Sequence, residues 1–218
     1  MNKNCLETFK IIVVGNQDTG KTTFVKRWLG EPFVKKYKTT IVSEFGSKIF
    51  PSKSEQNETT IKRGIRIQIW DLGGQDRNKY LTSLFCRDLH GALILADATN
   101  EVSLQECAKW KDAITDNIGV CDNKNLPIYL IQNKCDLLDD EQQEVQLNKV
   151  KNYAEQNNFT KYYLTSAKTY YNIKEAMISI IEDIDKCKVD TSFLEVKSHN
   201  SHRLEQIIQK EDNKKCQC

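Results

Sequence analysis

Few residues of this 218-residue chain are of the kinds that would take it outside the ordinary globular class. Nine glycines and three prolines are too few for a collagen-like or linker-dominated chain. No apolar run approaches the roughly 20 residues of a membrane-spanning helix, and Met1-Asn2-Lys3-Asn4-Cys5-Leu6-Glu7 lacks the apolar centre of a secretory signal. A cytosolic protein is expected. Thirty-two basic residues nearly balance thirty acidic ones, so the net charge of +2 leaves no electrostatic footprint for nucleic acid and no nucleic-acid partner is predicted. Only three histidines are present, and His90, His199 and His202 have no carboxylate or cysteine arrangement that suggests zinc or general-base chemistry. The cysteines Cys5, Cys86, Cys107, Cys121, Cys135 and Cys187 are scattered without metal-ligand spacing and read as free thiols. No internal repeat is visible.

What is present is concentrated in a few short motifs. Gly15-Asn16-Gln17-Asp18-Thr19-Gly20-Lys21-Thr22 fits G-x-x-x-x-G-K-[ST], the phosphate-binding loop. The apolar run Phe9-Lys10-Ile11-Ile12-Val13-Val14 before it reads as a buried strand, and Thr23-Phe24-Val25-Lys26-Arg27-Trp28-Leu29 after it reads as an amphipathic helix. That is the context the loop needs. Glycines let successive N–H groups converge on phosphates, and the following helix turns its positive end to the same anion. Lys21 is predicted to reach the β- and γ-phosphates and the Thr22 hydroxyl to ligate Mg²⁺.

A second motif selects the base. Leu126-Pro127-Ile128-Tyr129-Leu130-Ile131-Gln132 is a buried-strand pattern that runs straight into Asn133-Lys134-Cys135-Asp136, at the strand end where open α/β sheets bind ligands. An Asp carboxylate accepts two hydrogen bonds from guanine N1–H and its 2-amino group, which adenine cannot donate. Asp136 therefore points to GTP and GDP, with the Lys134 stem over the base and the Asn133 amide tying neighbouring loops.

With these two motifs the chain resembles the small GTPases of the Ras superfamily over about residues 8 to 185, and three further motifs stand in the right order. They are Tyr37-Lys38-Thr39-Thr40-Ile41, Trp70-Asp71-Leu72-Gly73-Gly74-Gln75 and Tyr163-Leu164-Thr165-Ser166-Ala167-Lys168. The resemblance implies the α/β fold of a P-loop NTPase small G-domain: a six-stranded, mostly parallel sheet with one antiparallel strand and about five flanking helices. It implies that Asp18, Thr19, Gly20, Lys21, Thr22 and Thr23 bind the phosphates, with Tyr37, Thr40 and Gly74 closing on the nucleotide. It also implies that Phe33 packs on the base and that Asn133, Lys134, Asp136, Ser166, Ala167 and Lys168 hold the guanine. The resemblance further implies that Thr22, Thr40 and Asp71 serve Mg²⁺, Asp71 through water, and that Gln75 orients the attacking water as the catalytic residue.

The ending Lys214-Lys215-Cys216-Gln217-Cys218 is similar to the doubly geranylgeranylated Cys-x-Cys tail of the Rab family. Phe45, Trp70 and Phe85 match the three aromatics that Rab effectors read. This branch implies an exchange factor, a GTPase-activating protein, effectors, a prenylation escort and a GDP-dissociation inhibitor as partners of a monomer. Cys216 and Cys218 would carry lipid that anchors it to the cytoplasmic face of an intracellular membrane beside a cytosolic pool, in vesicle trafficking. Val42-Ser43-Glu44-Phe45, Leu72-Gly73 and Asn78 depart from the Rab pattern on partner-facing segments. Gln17 and Asp18 put bulk in the phosphate loop, so two functions stay open: a slowly hydrolysing switch, and a GTP-dependent binding module that barely hydrolyses.

The expected layout is a G-domain over residues 1–187 and a flexible tail over 188–218. Strands are predicted at 9–15, 41–50, 64–71, 92–97, 128–133 and 161–165, with only the second antiparallel, and helices centred on Phe24, Ser83, Trp110, Val150 and Ile180. The polar run 51–60 reads as an exposed extension of the hairpin between the second and third strands.

Overall fold

The computed structural model describes residues 7–35, 43–51, 64–73, 84–118 and 126–187. Six strands, β1 (Glu7–Gly15), β2 (Ser43–Pro51), β3 (Gly64–Leu72), β4 (Gly91–Asp97), β5 (Ile128–Asn133) and β6 (Lys161–Leu164), form one sheet in the order β2-β3-β1-β4-β5-β6. β2 is antiparallel to β3 and every other pair is parallel. β4 and β5 are buried along their whole length, which is why they read as continuous apolar runs and not as alternating ones.

Helices cover both faces. On one face α1 (Lys21–Leu29) and α5 (173–187) pack Phe24, Trp28, Ile173, Met177 and Ile180 against Phe9, Val13, Leu95 and Ile131. On the other, α2 (Glu101–Gln105), α3 (Cys107–Thr115) and α4 (Asp140–Gln156) bring Leu104, Trp110, Ile114 and Val150 onto Ile12, Val14, Ile94 and Leu130. Side chains cap the starts of two of these helices. Asn100 accepts from the Ser103 N–H ahead of α2, and Asp139 with Gln142 forms a reciprocal capping box on α4.

The predicted strands and their senses match this sheet, with ends moved by one or two residues. β6 stops at Leu164, although the Thr165 N–H still bonds the Gln132 carbonyl at 2.8 Å. Ile41 and Val42, most of the 51–60 extension and the 188–218 tail lie outside the described residues, and of the helix expected at Ser83 only a turn over 84–86 is described. Cys86, Cys107, Cys135 and Cys187 are free thiols, as expected. No helix among the described residues is long and apolar enough to cross a membrane.

Candidate nucleotide site

β1 emerges from the middle of the sheet into the glycine loop, and the backbone there takes conformations that side chains resist. Gly15 has φ +138 and Gly20 φ +87; a Cβ on Gly15 would lie 2.2 Å from the Leu95 carbonyl oxygen, on the neighbouring strand. Gly20 is the N-cap of α1 and offers no side chain to it, so the positive end of the helix is open to the loop. Thr19 is buried and its hydroxyl donates to the Asn16 carbonyl at 2.9 Å. The Lys21 ammonium donates to the carbonyls of Gly15 at 2.9 Å and Asn16 at 2.8 Å. Burial pushes the Lys21 pKa down to about 8, against the pull of Asp71 and Asp18. Such an ammonium, held on neutral carbonyls in a desolvated hollow, gains from an arriving anion.

Thr22 and Thr23 follow in the first turn of α1. The Thr22 hydroxyl donates to Asp71 Oδ2 at 2.5 Å, bringing α1 and the end of β3 together. Asp71 is fully buried; burial pushes its pKa up to about 6, against the Thr22 hydrogen bond and the Lys21 charge. Its Oδ1 is buried without a hydrogen-bond partner. A hydroxyl beside a buried carboxylate with one oxygen unspent fits a hard divalent cation such as Mg²⁺, which takes oxygen ligands.

The base-side residues converge on Asn133, which is 1% exposed at the end of β5. Its Nδ2 donates to the Thr19 carbonyl at 3.0 Å, and its Oδ1 accepts from the Ala167 N–H at 3.0 Å. One amide thus fastens the phosphate loop to the loop after β6. Lys134, in a left-handed conformation with φ 69, places its stem against Gly20 and pairs its ammonium with Asp97 Oδ2 at 2.6 Å. The Asp97 carboxyl lies below its usual range: burial would raise it, but the hydrogen bonds from Lys134 and Thr99 prevail. Asp136 Oδ1 accepts from the Ser166 hydroxyl at 2.6 Å, and Lys168 flanks Oδ2 at 3.4 Å. Phe33 stands 38% exposed beyond the end of α1. Tyr37, Thr40, Gly74, Gln75, Cys216 and Cys218 lie outside the described residues.

Phe45, Trp70 and Phe85 form a chain of rings on β2, β3 and the 84–86 turn, with centroids 5.0 and 5.6 Å apart. Phe45 is more than half exposed, so the chain has an open end. Three contacts of the site escaped the sequence reading. Asp97 holds Lys134, Arg27 Nε donates to the Ala167 carbonyl at 3.0 Å, and the Trp110 indole donates to Asn16 Oδ1 at 3.0 Å. Only Asp97 had a signal, since it ends β4 at the same edge of the sheet where Asn133 ends β5.

A doubly wound sheet whose central strand runs through such a loop into a helix defines a P-loop nucleotide-binding protein, and the single antiparallel β2 beside β3 is the small G-domain arrangement. The sequence pattern of the Ras family matches residues 10–186. Over 178 residues the chain is 34% identical to Ras-related protein Rab-32C of Dictyostelium discoideum, covering 81% of this chain and 73% of that one. It is 32% identical over 174 residues to human Ras-related protein Rab-7L1, covering 80% and 81%. Human Ras-related protein Rab-32 is 28% identical over 200 residues, with 85% of each covered. The chain belongs to the Ras family, as a divergent GTPase of the Rab type.

Proposed function

We propose that this chain is a Rab-type switch that binds GDP and GTP in turn, hydrolyses GTP slowly by itself and presents its aromatic surface to effectors on an intracellular membrane. The observation that carries the nucleotide part is the Asn133 brace, which ties the phosphate loop to the base-side loop. Asp18, Thr19, Gly20, Lys21, Thr22 and Thr23 take the phosphates, with Tyr37 and Gly74 completing the enclosure. Phe33, Lys134, Asp136, Ser166, Ala167 and Lys168 take the guanosine. Ser166 fixes the Asp136 carboxylate so that it can face the two donors of guanine, and an adenine would leave that carboxylate unpaired. Thr22, Thr40 and Asp71 would hold Mg²⁺, which when bound neutralises charge on the phosphates.

Gln75 orients a water toward the γ-phosphorus; the bond to the β-phosphate oxygen breaks, and GDP and inorganic phosphate leave. An activating protein adds an arginine. Residues 188–218 act as a tether, with lipid on Cys216 and Cys218, and Phe45, Trp70 and Phe85 are the face that effectors read. A second reading rests on Gln17, exposed in the phosphate loop: a GTP-dependent binding module whose hydrolysis that side chain obstructs. Single-turnover GTP hydrolysis of the wild type, Gln75→Leu and Gln17→Gly, with and without a Rab-type activating protein, tests both. For the switch, Gln75→Leu lowers the stimulated rate by about 10³-fold or more. For the module, the wild type barely responds, Gln75→Leu changes little and Gln17→Gly restores the rate.

A further inference from the structure

Trp110 lies in α3, well away from the phosphate loop in sequence, and its ring packs in the core cluster on that face of the sheet. It is 7% exposed. A buried indole N–H needs an acceptor, and this one uses the side-chain oxygen of Asn16, the second residue of the loop, at 3.0 Å. The main-chain carbonyl of the same Asn16 accepts from both the Lys21 ammonium at 2.8 Å and the Thr19 hydroxyl at 2.9 Å. Asn16 is therefore held from outside by α3, while from inside it orders the two side chains that line the hollow. The Trp110 cluster also contains Leu72, the last residue of β3, and touches Trp70 and Phe85 at its edge.

We propose that Trp110 is a positioning residue for the phosphate loop: through Asn16 it fixes the carbonyl that parks Lys21, and so sets how tightly the β-phosphate of a guanine nucleotide is held. The proposal rests on the reading of this loop as the phosphate site. Its chemistry is specific. Losing the indole N–H loosens the loop around the phosphates and leaves the base contacts in place, because Asn133 meets the loop at the Thr19 main-chain carbonyl, Lys134 is paired with Asp97, and Asp136 is held by Ser166 and Lys168, none of which bonds Asn16.

The test compares GDP with GMP, which lacks the β-phosphate, by equilibrium competition against a fluorescent GDP on the full chain. Trp110→Phe keeps a ring in the core and removes the donor; Asn16→Ala removes the acceptor from a half-buried loop position. Each is expected to lower the preference for GDP over GMP by about two- to tenfold, the worth of one neutral hydrogen bond. The double variant should lose no more than either single one. Parallel weakening of GDP and GMP, unchanged preference, or a double loss equal to the product of the single losses each overturns the proposal. Should Trp110→Phe fail to fold, the GDP-to-GMP preference of Asn16→Ala decides by itself. Lys21→Ala tests the underlying reading separately. Wild-type GDP affinity in that variant removes the phosphate site altogether, whereas its loss beside an unchanged preference in Trp110→Phe keeps the site and removes the Trp110 role.

Discussion

Gly20→Ala probes the junction between the phosphate loop and the base-side loops with one added methyl group. Gly20 sits at φ +87, where a residue with a Cβ is strained by about 1–2 kcal/mol. The added carbon would lie 2.4 Å from Asn133 Nδ2, so the Asn133 amide must move. Moving it breaks the bond to the Thr19 carbonyl and the bond from the Ala167 N–H, both 3.0 Å long. Each buried neutral hydrogen bond lost costs about 1 kcal/mol, and more where a partner is stranded away from water. The sum is about 3–5 kcal/mol. For a domain of this size that corresponds to a melting temperature lowered by about 6–20 °C. Urea and thermal unfolding at saturating GDP read the effect, and Asn133→Ala supplies the control. With the amide already gone the clash disappears, so Gly20→Ala should then cost only its left-handed strain of about 1–2 kcal/mol. A Gly20→Ala chain as stable as the wild type, or one whose cost is the same in both backgrounds, would refute the brace as the link between the two loops.

Base choice is tested by Asp136→Asn, which should weaken GDP binding strongly and admit xanthosine diphosphate, whose 2-oxo group suits an amide donor; equal loss of both nucleotides counts against the role given to Asp136. Behind the sheet, Asp183 accepts from the Tyr129 hydroxyl at 2.6 Å and pairs with Lys161 at 2.9 Å. Burial would raise its pKa, but these partners carry it below the ordinary 3.8. A depressed carboxyl contributes stability that is complete above its unfolded pKa and is lost as pH falls through the folded one. The melting-temperature gap between wild type and Asp183→Asn should therefore hold steady above about pH 5 and shrink below pH 4. A gap that persists at low pH would show that Asp183 acts without its charge.

The sheet was legible because its strands announce themselves in two ways. β4 and β5 are buried on both faces and read as unbroken apolar runs, while the α5 stripe from Ile173 to Ile184 repeats at helical spacing. Lys21 and Thr22 were legible because the phosphate loop is a local motif, and Asp136 because it follows a strand end. What links these pieces was not. The sequence marks Asn133 as a loop tie, yet the identity of its partners, Thr19 and Ala167, depends on β1, β5 and β6 ending at the same edge. Trp110 reads in the sequence as the centre of a helix; a buried indole must find an acceptor, but which one is decided by how α3 lies across the sheet. Arg27 is similar, a basic residue in the last turn of α1 whose bond to the Ala167 carbonyl spans 140 positions.

The position of β1 also has a cost during synthesis. It precedes the other described strands in the chain but sits in the centre, between β3 and β4, so its backbone is paired on both sides only when both neighbours are in place, and its apolar residues from Phe9 to Val14 are covered by helices on both faces. Pairing β1 with β4 closes the chain from Gly15 to Gly91, a long-range parallel contact of the kind that slows folding. At about 5–20 residues per second the ribosome needs several seconds to deliver β4 after β1. Throughout that interval the nascent chain carries a strand with apolar side chains on both faces and its β4-facing edge unpaired, which is a site where a chaperone's cover would protect it.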